Sequence, residues 1–207
     1  MNRLSKVFAR PYGSTANHWM ASFDPFTTPR HGTTILNVRK GNQSVLIGDG
    51  MVSQGTMIVK PDAKKIRRLN NDIIVGFAGS TADCLALMER LEMKLEEHPG
   101  QLLRSCVELA KNWRGDKYMR HLSAVLVVSD GKISLEVTGN GDVLETSDGV
   151  ISVGSGGAYA KAAALALYDT DLTAREIGVK AMNIAASMCC HTNDNFVIEE
   201  LTIDSSS

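Results

Sequence analysis

The sequence predicts an α/β protein of four layers: two antiparallel sheets packed face to face, with a pair of helices outside each sheet. Three observations lead there. Strand patterns come in blocks rather than alternating singly with helices, which excludes a doubly wound parallel sheet. The helices come in consecutive pairs, once in each half of the chain. The middle strands are apolar on both faces, as strands must be when one face meets a second sheet and the other meets helices.

From Thr33 the residues alternate, with Ile35, Asn37 and Arg39 on one side and Thr34, Leu36 and Val38 on the other. Gly41-Asn42 and the apolar run Ser44-Val45-Leu46-Ile47 complete a hairpin. A second strand pair is expected over 64–69 and 73–78, joined by Asn70-Asn71-Asp72, so that four strands precede any helix. Ser80 with Asp83 resembles a capping box, and Leu85, Met88, Leu91 and Leu95 recur at helical spacing until His98-Pro99-Gly100. The next helix is predicted over 101–122, with Leu102, Cys106, Leu109 and Trp113 as its buried stripe and Glu108, Lys111 and Arg114 on its wet side.

Strands resume over 123–129 and 132–138 around Asp130-Gly131, and again over 150–153 after Gly139-Asn140-Gly141-Asp142. Helices are expected over 158–168 and from Thr173 to about Cys190, the second opened by the capping box Thr173-Ala174-Arg175-Glu176; a last strand lies near 196–201. No internal repeat and no second domain is evident, so residues 33–207 are read as one domain.

A formal charge of −1 gives no broad electrostatic footprint for nucleic acid or an anionic membrane. Apolar runs such as Ala124-Val125-Leu126-Val127-Val128 are far shorter than the roughly eighteen residues of a spanning helix. Cys84, Cys106, Cys189 and Cys190 have no zinc-finger spacing and read as reduced thiols, the first two as small core side chains. Residues 1–32 differ from the rest: Arg3, Lys6, Arg10 and Arg30 stand against Asp24 alone, with Leu4, Val7 and Phe8 among the early basic residues. That composition is the mark of a mitochondrial transit peptide, and the alternative is a disordered tail. Either reading removes the segment from the fold.

The junction after this leader carries the candidate chemistry. Cleavage between Gly32 and Thr33 would give one residue both a β-hydroxyl and a free α-amine to take its proton. Such an amine has a pKa of about 7.7 to 8.0, close to where a general base works best. The uncut amide has no basicity, so the uncut chain is expected to be inert. Asp49 lies between two glycines at a strand end, where it is either a turn residue or a carboxylate aimed at the start of the neighbouring strand. Lys65 faces opposite to Lys64 and Ile66; turned inward, its ammonium needs a partner, and Asp49 is the natural one. That cation beside the Thr33 amine would hold the amine unprotonated.

Thr33-Thr34-Ile35, Gly48-Asp49-Gly50, Lys64-Lys65-Ile66-Arg67-Arg68-Leu69, Gly76-Phe77-Ala78-Gly79, Thr138-Gly139-Asn140-Gly141-Asp142, Gly154-Ser155-Gly156-Gly157 and Thr192-Asn193 occur in this order. Together they resemble the HslV family, proteolytic subunits of the HslVU protease and relatives of proteasome β-subunits, over 33–201. The resemblance implies an N-terminal nucleophile hydrolase with an αββα sandwich, acting as a threonine endopeptidase. By motif position Thr33 is nucleophile and base, Lys65 and Asp49 tune it, Gly76 offers its N–H to the oxyanion, and Ser155 is an accessory hydroxyl. Peptides would bind as an added strand beside Ser53 and Gly76.

The resemblance also implies two stacked hexameric rings of this chain, with a separate AAA+ ATPase, HslU, feeding polypeptide substrates from the ends. No G-x-x-x-x-G-K-[ST] occurs here, so ATP work belongs to another chain. A monovalent cation, Na⁺, is expected on the backbone carbonyls of Ala186, Cys189 and Thr192, with alanine where the family usually has glycine. Cys189-Cys190-His191 is no four-ligand zinc set and reads as helix-end packing. Gly154-Ser155-Gly156-Gly157 is either a phosphate-binding turn or a tight strand-to-helix turn. Two rival functions remain: a scaffold subunit that keeps its leader, and a nucleotide-binding module built on the glycine turns. Leader and family together suggest the mitochondrial matrix, and without a transit peptide the cytoplasm.

Overall fold

The computed structural model describes residues 30–70, 72–115 and 124–203. Residues 1–29 of the leader, the stretch 116–122 of the second helix, Asn71 and Ser123 lie outside these residues. In chain order the elements are β1 (Arg30–His31), β2 (Thr34–Lys40), β3 (Gln43–Gly48), β4 (Val52–Gln54), β5 (Met57–Lys60), β6 (Ile66–Leu69), β7 (Ile73–Gly79), α1 (Thr81–Glu97), α2 (Leu102–Gly115), β8 (Ala124–Ser129), β9 (Ser134–Thr138), β10 (Val143–Glu145), β11 (Val150–Gly154), α3 (Gly157–Leu167), α4 (Ala174–Met188) and β12 (Val197–Thr202).

The two expected sheets are present. One has the order β11-β2-β3-β12 and the other β10-β9-β8-β7-β6, and all their pairings are antiparallel. Strand alternation sorts the apolar side chains into three layers. Ile35, Leu46, Ile66, Ile74, Val127 and Ile151 pack together between the sheets. Their neighbours Leu36, Val38, Val45 and Ile47 face α3 and α4 with Ile177, Ala181 and Met182. On the far side Val75, Phe77, Leu126, Val128 and Leu135 face Leu91, Leu109 and Trp113 of α1 and α2. Two helix pairs thus enclose two sheets, as the sequence predicts. Burial pushes the Cys84 and Cys106 thiols up to about 12, so both stay protonated and behave as packing groups.

The second-half helix start is as expected. Thr173 accepts from Glu176 N, and the Glu176 side chain accepts from Thr173 N, a reciprocal box that satisfies two end donors. At α1 the expected box does not form: Ser80 has the extended backbone of a cap, but its side chain makes no capping bond. The buried stripe of α1 also begins one residue earlier than expected. Cys84, Met88, Leu91 and Leu95 are buried, at spacings of four, three and four, whereas Leu85 is rotated by one residue's turn and is 38% exposed.

Seven strands, not four, precede α1 among the described residues. The additional ones form a small sheet in the order β1-β4-β5, in which Arg30 pairs with Gln54 and His31 with Ser53. β10 was likewise not expected. Strands of two to four residues carry no alternation to read, and all four residues of β5 are exposed, so no buried face marks it.

Candidate active site

The end of β3 places Asp49 at the edge of the central core. Gly48 lies against Ile35 and Ile66, where an added Cβ would fall 2.8 Å from Ile35 Cδ1, so the backbone before Asp49 can approach both sheets. Asp49 is fully buried. Its Oδ1 accepts from Thr34 N at 2.7 Å and from Lys65 Nζ at 3.0 Å, and its Oδ2 accepts from Met51 N at 3.0 Å and Asn193 N at 3.3 Å.

Lys65 precedes β6 and turns inward, 3% exposed, while Lys64 is exposed. Its ammonium donates to Asp49 Oδ1, to Gly32 O at 2.6 Å and to Met51 O. Three acceptors match the three donors of an ammonium, the condition under which a buried charge is tolerated. Burial lowers the Lys65 pKa from its ordinary 10.5, and the Asp49 carboxylate opposes that fall through charge and hydrogen bond.

Thr33 stands between Gly32 and the first residue of β2, 8% exposed. Its Oγ1 donates to Gly32 O at 2.6 Å, so the carbonyl of the Gly32 to Thr33 peptide bond receives both the threonine hydroxyl and the lysine ammonium. Gly32 has φ 104°, and a Cβ there would fall 2.9 Å from Ser53 Oγ and 3.1 Å from Ser53 N; only glycine fits. On the other side Thr33 O accepts from Ser155 N at 2.8 Å. Gly154 approaches so closely that a Cβ would lie 1.9 Å from Thr33 O. A cleft of about 220 Å³ opens over Thr33, lined by Gly32, Ala78, Gly79, Ala124, Val125, Gly154 and Ser155.

The same region is matched by known proteins. The proteasome subunit family model covers residues 29–201. The chain belongs to the proteasome subunit family. It is 55% identical over 179 residues to the ATP-dependent protease subunit HslV of Bartonella quintana, across 86% of this chain and 93% of that protein. To HslV of Wolbachia sp. subsp. Brugia malayi it is 55% identical over 173 residues, 83% of this chain and 98% of that one. The crystal structure of eukaryotic HslV from Trypanosoma brucei superposes with a TM-score of 0.79 at 48% identity, covering 82% of this chain and 99% of that one. Thiobacillus denitrificans BPH in complex with epoxomicin shares the fold, with a TM-score of 0.70 at 20% identity over 83% of this chain and 99% of that one.

Within this proteasome-family fold, Thr33 and Ser155 line one cleft, and the Lys65 and Asp49 pair lies behind it, joined to it through the Gly32 carbonyl. Gly76 does not join them. It sits mid-strand in β7, paired with Ile66 on one side and Val127 on the other, and a Cβ there would meet Ile35 Cγ2 at 2.7 Å in the central core. Gly79, three residues on at the end of β7, lines the cleft with φ 120°. The sequence offered both glycines of Gly76-Phe77-Ala78-Gly79. Gly79 closes the β7–β8 ladder opposite Ala124, at the strand end before the α1 cap, whereas Gly76 is enclosed in mid-strand.

Ala186 lies in the last turn of α4, Cys189 is its C-cap and Thr192 follows in the next loop, a helix end where carbonyl groups lack helical partners and the dipole favours a cation. Cys189 O accepts from Thr192 N at 3.1 Å and keeps a second lone pair. Ala186 has no positive φ, so alanine in place of glycine meets no backbone penalty there. Neutral carbonyl oxygens suit a hard monovalent ion, and no group of three or more His, Cys, Asp or Glu that could hold a metal occurs among the described residues.

The Lys65 and Asp49 environment makes a measurable demand. In lysine-selective ¹³C NMR, the ε-carbon signal that disappears in Lys65→Met should titrate below 10.5, and lower still in Asp49→Asn. The Asp49→Asn protein should lose about 3 to 5 kcal/mol of unfolding free energy in urea, because the lysine charge is left without its anion. A Lys65 signal titrating at or above 10.5 contradicts this environment.

Proposed function

We propose that this chain is a threonine endopeptidase of the HslV type, the proteolytic subunit of an ATP-dependent protease, with Thr33 as nucleophile and base once the bond after Gly32 is cut. One observation carries the reading: the Gly32 carbonyl lies between Thr33 Oγ1 and the buried Lys65 ammonium, with Asp49 behind. An ammonium on a carbonyl oxygen stabilises the negative charge that grows there during attack. Attack of Thr33 Oγ on the Gly32 carbon would form an ester and break the peptide C–N bond, the hydroxyl proton passing to nitrogen. That step frees the amine; water then hydrolyses the ester, restoring the Thr33 hydroxyl and releasing residues 1–32 with a Gly32 carboxylate, so the leader departs as a pro-segment.

In the processed chain the Thr33 amine takes the proton of its own hydroxyl, directly or through water, as Oγ attacks a substrate carbonyl. The proton then passes to the leaving amine, and water activated by the same amine hydrolyses the ester. Lys65 disfavours a charge on the amine and thereby keeps it a base. Asp49 holds Lys65 in place. The Gly79 N–H, at the cleft, takes the oxyanion role that Gly76 cannot fill, and Ser155 serves as the accessory hydroxyl at the cleft wall.

The pairing of β1 with β4 supplies a register for substrate. The acyl side of a peptide would lie antiparallel to Val52–Gln54, with the residue before the scissile one opposite Ser53, as His31 lies. Main-chain pairing of this kind tolerates many side chains, which suits unfolded polypeptides. Copies of this chain would form hexameric rings stacked as a dodecamer, and an HslU-type AAA+ ATPase would deliver the substrates. A monovalent cation, Na⁺, on the Ala186, Cys189 and Thr192 carbonyls would neutralise the negative end of α4 and brace the loop that follows it.

The basic, acid-poor leader supports delivery to the mitochondrial matrix. A reporter fused to residues 1–32 should enter mitochondria, and a cytosolic reporter defeats that assignment. Protein isolated from its native compartment should begin at Thr33 by intact mass. Assembled Thr33→Ala protein, supplied with its ATPase, should show no hydrolysis of an unfolded polypeptide, while Thr33→Ser should retain it. Digestion by the alanine variant at the wild-type rate overturns the reading.

A further inference from the structure

We propose that Asn193 is a positioning residue that clamps together the two segments carrying Asp49 and Lys65, and so sets the spacing of the charge pair behind the nucleophile. The inference rests on the functional reading above. Asn193 belongs to the connection between α4 and β12, remote in sequence from both charged residues. Its backbone N–H donates to Asp49 Oδ2 at 3.3 Å. Its side-chain Oδ1 accepts from Gly50 N at 3.0 Å, and its Nδ2 donates to Pro61 O at 2.7 Å. One amide therefore ties the turn that holds Asp49 to the segment 61–65 that ends in Lys65.

The junction has little slack. A Cβ on Gly50 would fall 2.5 Å from Pro61 O and 3.2 Å from Asn195 O, so three chain segments already meet there. Asn195 Nδ2 adds a second donor to Pro61 O at 3.0 Å. The neighbouring Thr192 Oγ1 bonds Thr34 Oγ1 at 2.8 Å, and Thr34 Oγ1 also accepts from Gly156 N at 2.8 Å, which steadies the residue after the nucleophile. The titratable groups at this place are Asp49 and Lys65, with His191 alongside through its 3.3 Å contact with Ser53 Oγ, Asp62 whose Cα borders Gly50, and Asp194 next in the chain to Asn193. With the side chain of Asn193 removed, Gly50 N loses its partner, Pro61 O keeps only Asn195 Nδ2, and the two segments are left with the Ala63 N to Gly50 O bond of 2.9 Å and the charge pair itself, so the junction loosens. The Lys65 cation then moves from the Thr33 amine, whose pKa should rise.

The test uses processed, assembled protein hydrolysing a fluorogenic peptide amide, with Thr33→Ala as the blank. Asn193→Ala should lower kcat by about tenfold or more, leave KM unchanged, and move the acidic limb of the kcat profile to higher pH. Asn193→Asp keeps the acceptor for Gly50 N but loses the donor to Pro61 O; it should show the same loss and the same direction of shift, and it decides the matter if the alanine variant does not assemble. Wild-type kcat and limb in the folded variants overturn the proposal, as does a loss fully explained by a smaller folded fraction. Failure of both variants to assemble assigns Asn193 a structural role and also overturns it. If the wild-type rate does not depend on Thr33, the functional reading itself fails, a result distinct from all of these.

Discussion

Asp49 and Lys65 face each other at 3.0 Å with almost no access to water, and such a pair persists only where every remaining proton and lone pair has a partner. The partners here determine the architecture around it. Lys65 needs Gly32 O and Met51 O; Asp49 needs the N–H groups of Thr34, Met51 and Asn193. Meeting those demands brings the chain before β2, the turn after β3, the lead into β6 and the loop after α4 to one point. The nucleophile candidate is held there because its own peptide bond supplies one of the acceptors.

The sandwich provides the rigidity that such a junction requires. Asp49 follows β3 and Lys65 precedes β6, strands of different sheets that are held against each other by Ile35, Leu46 and Ile66 between them. Close-packed interiors transmit small displacements, and glycines at Gly48, Gly50 and Gly154 allow backbone to approach where any side chain would intrude. The cleft over Thr33 is thus formed by strand ends and glycine turns fixed from behind by the core.

Much of this was legible from residue order. Apolar runs with two buried faces gave the layering, and the Thr173 to Glu176 box marked the start of α4 because its two hydrogen bonds are local. An inward-turned Lys65 needs an anion, which pointed to Asp49, but alternation does not explain the turn itself: Lys65 precedes β6, and both it and Ile66 are buried. Less could be read where the cause is tertiary. β1 and β5 are strands only because β4 pairs with them. Gly76 and Gly79 look alike in sequence, and only strand pairing shows that one is enclosed and the other faces the cleft. Asn193 carried no signal for its side chain, because its partners lie more than a hundred residues away.

The central claim is that the Thr33 hydroxyl, governed by the Lys65 and Asp49 pair, forms the covalent bond to substrate. Rapid acid quench of the processed protein during turnover of a peptide substrate, followed by mass mapping, tests it most directly. The account predicts a hydroxylamine-sensitive acyl adduct on the peptide that begins with Thr33, and a much slower accumulation of that adduct in Lys65→Met. An acyl group on any other residue, or an adduct formed at an undiminished rate without the lysine, contradicts it.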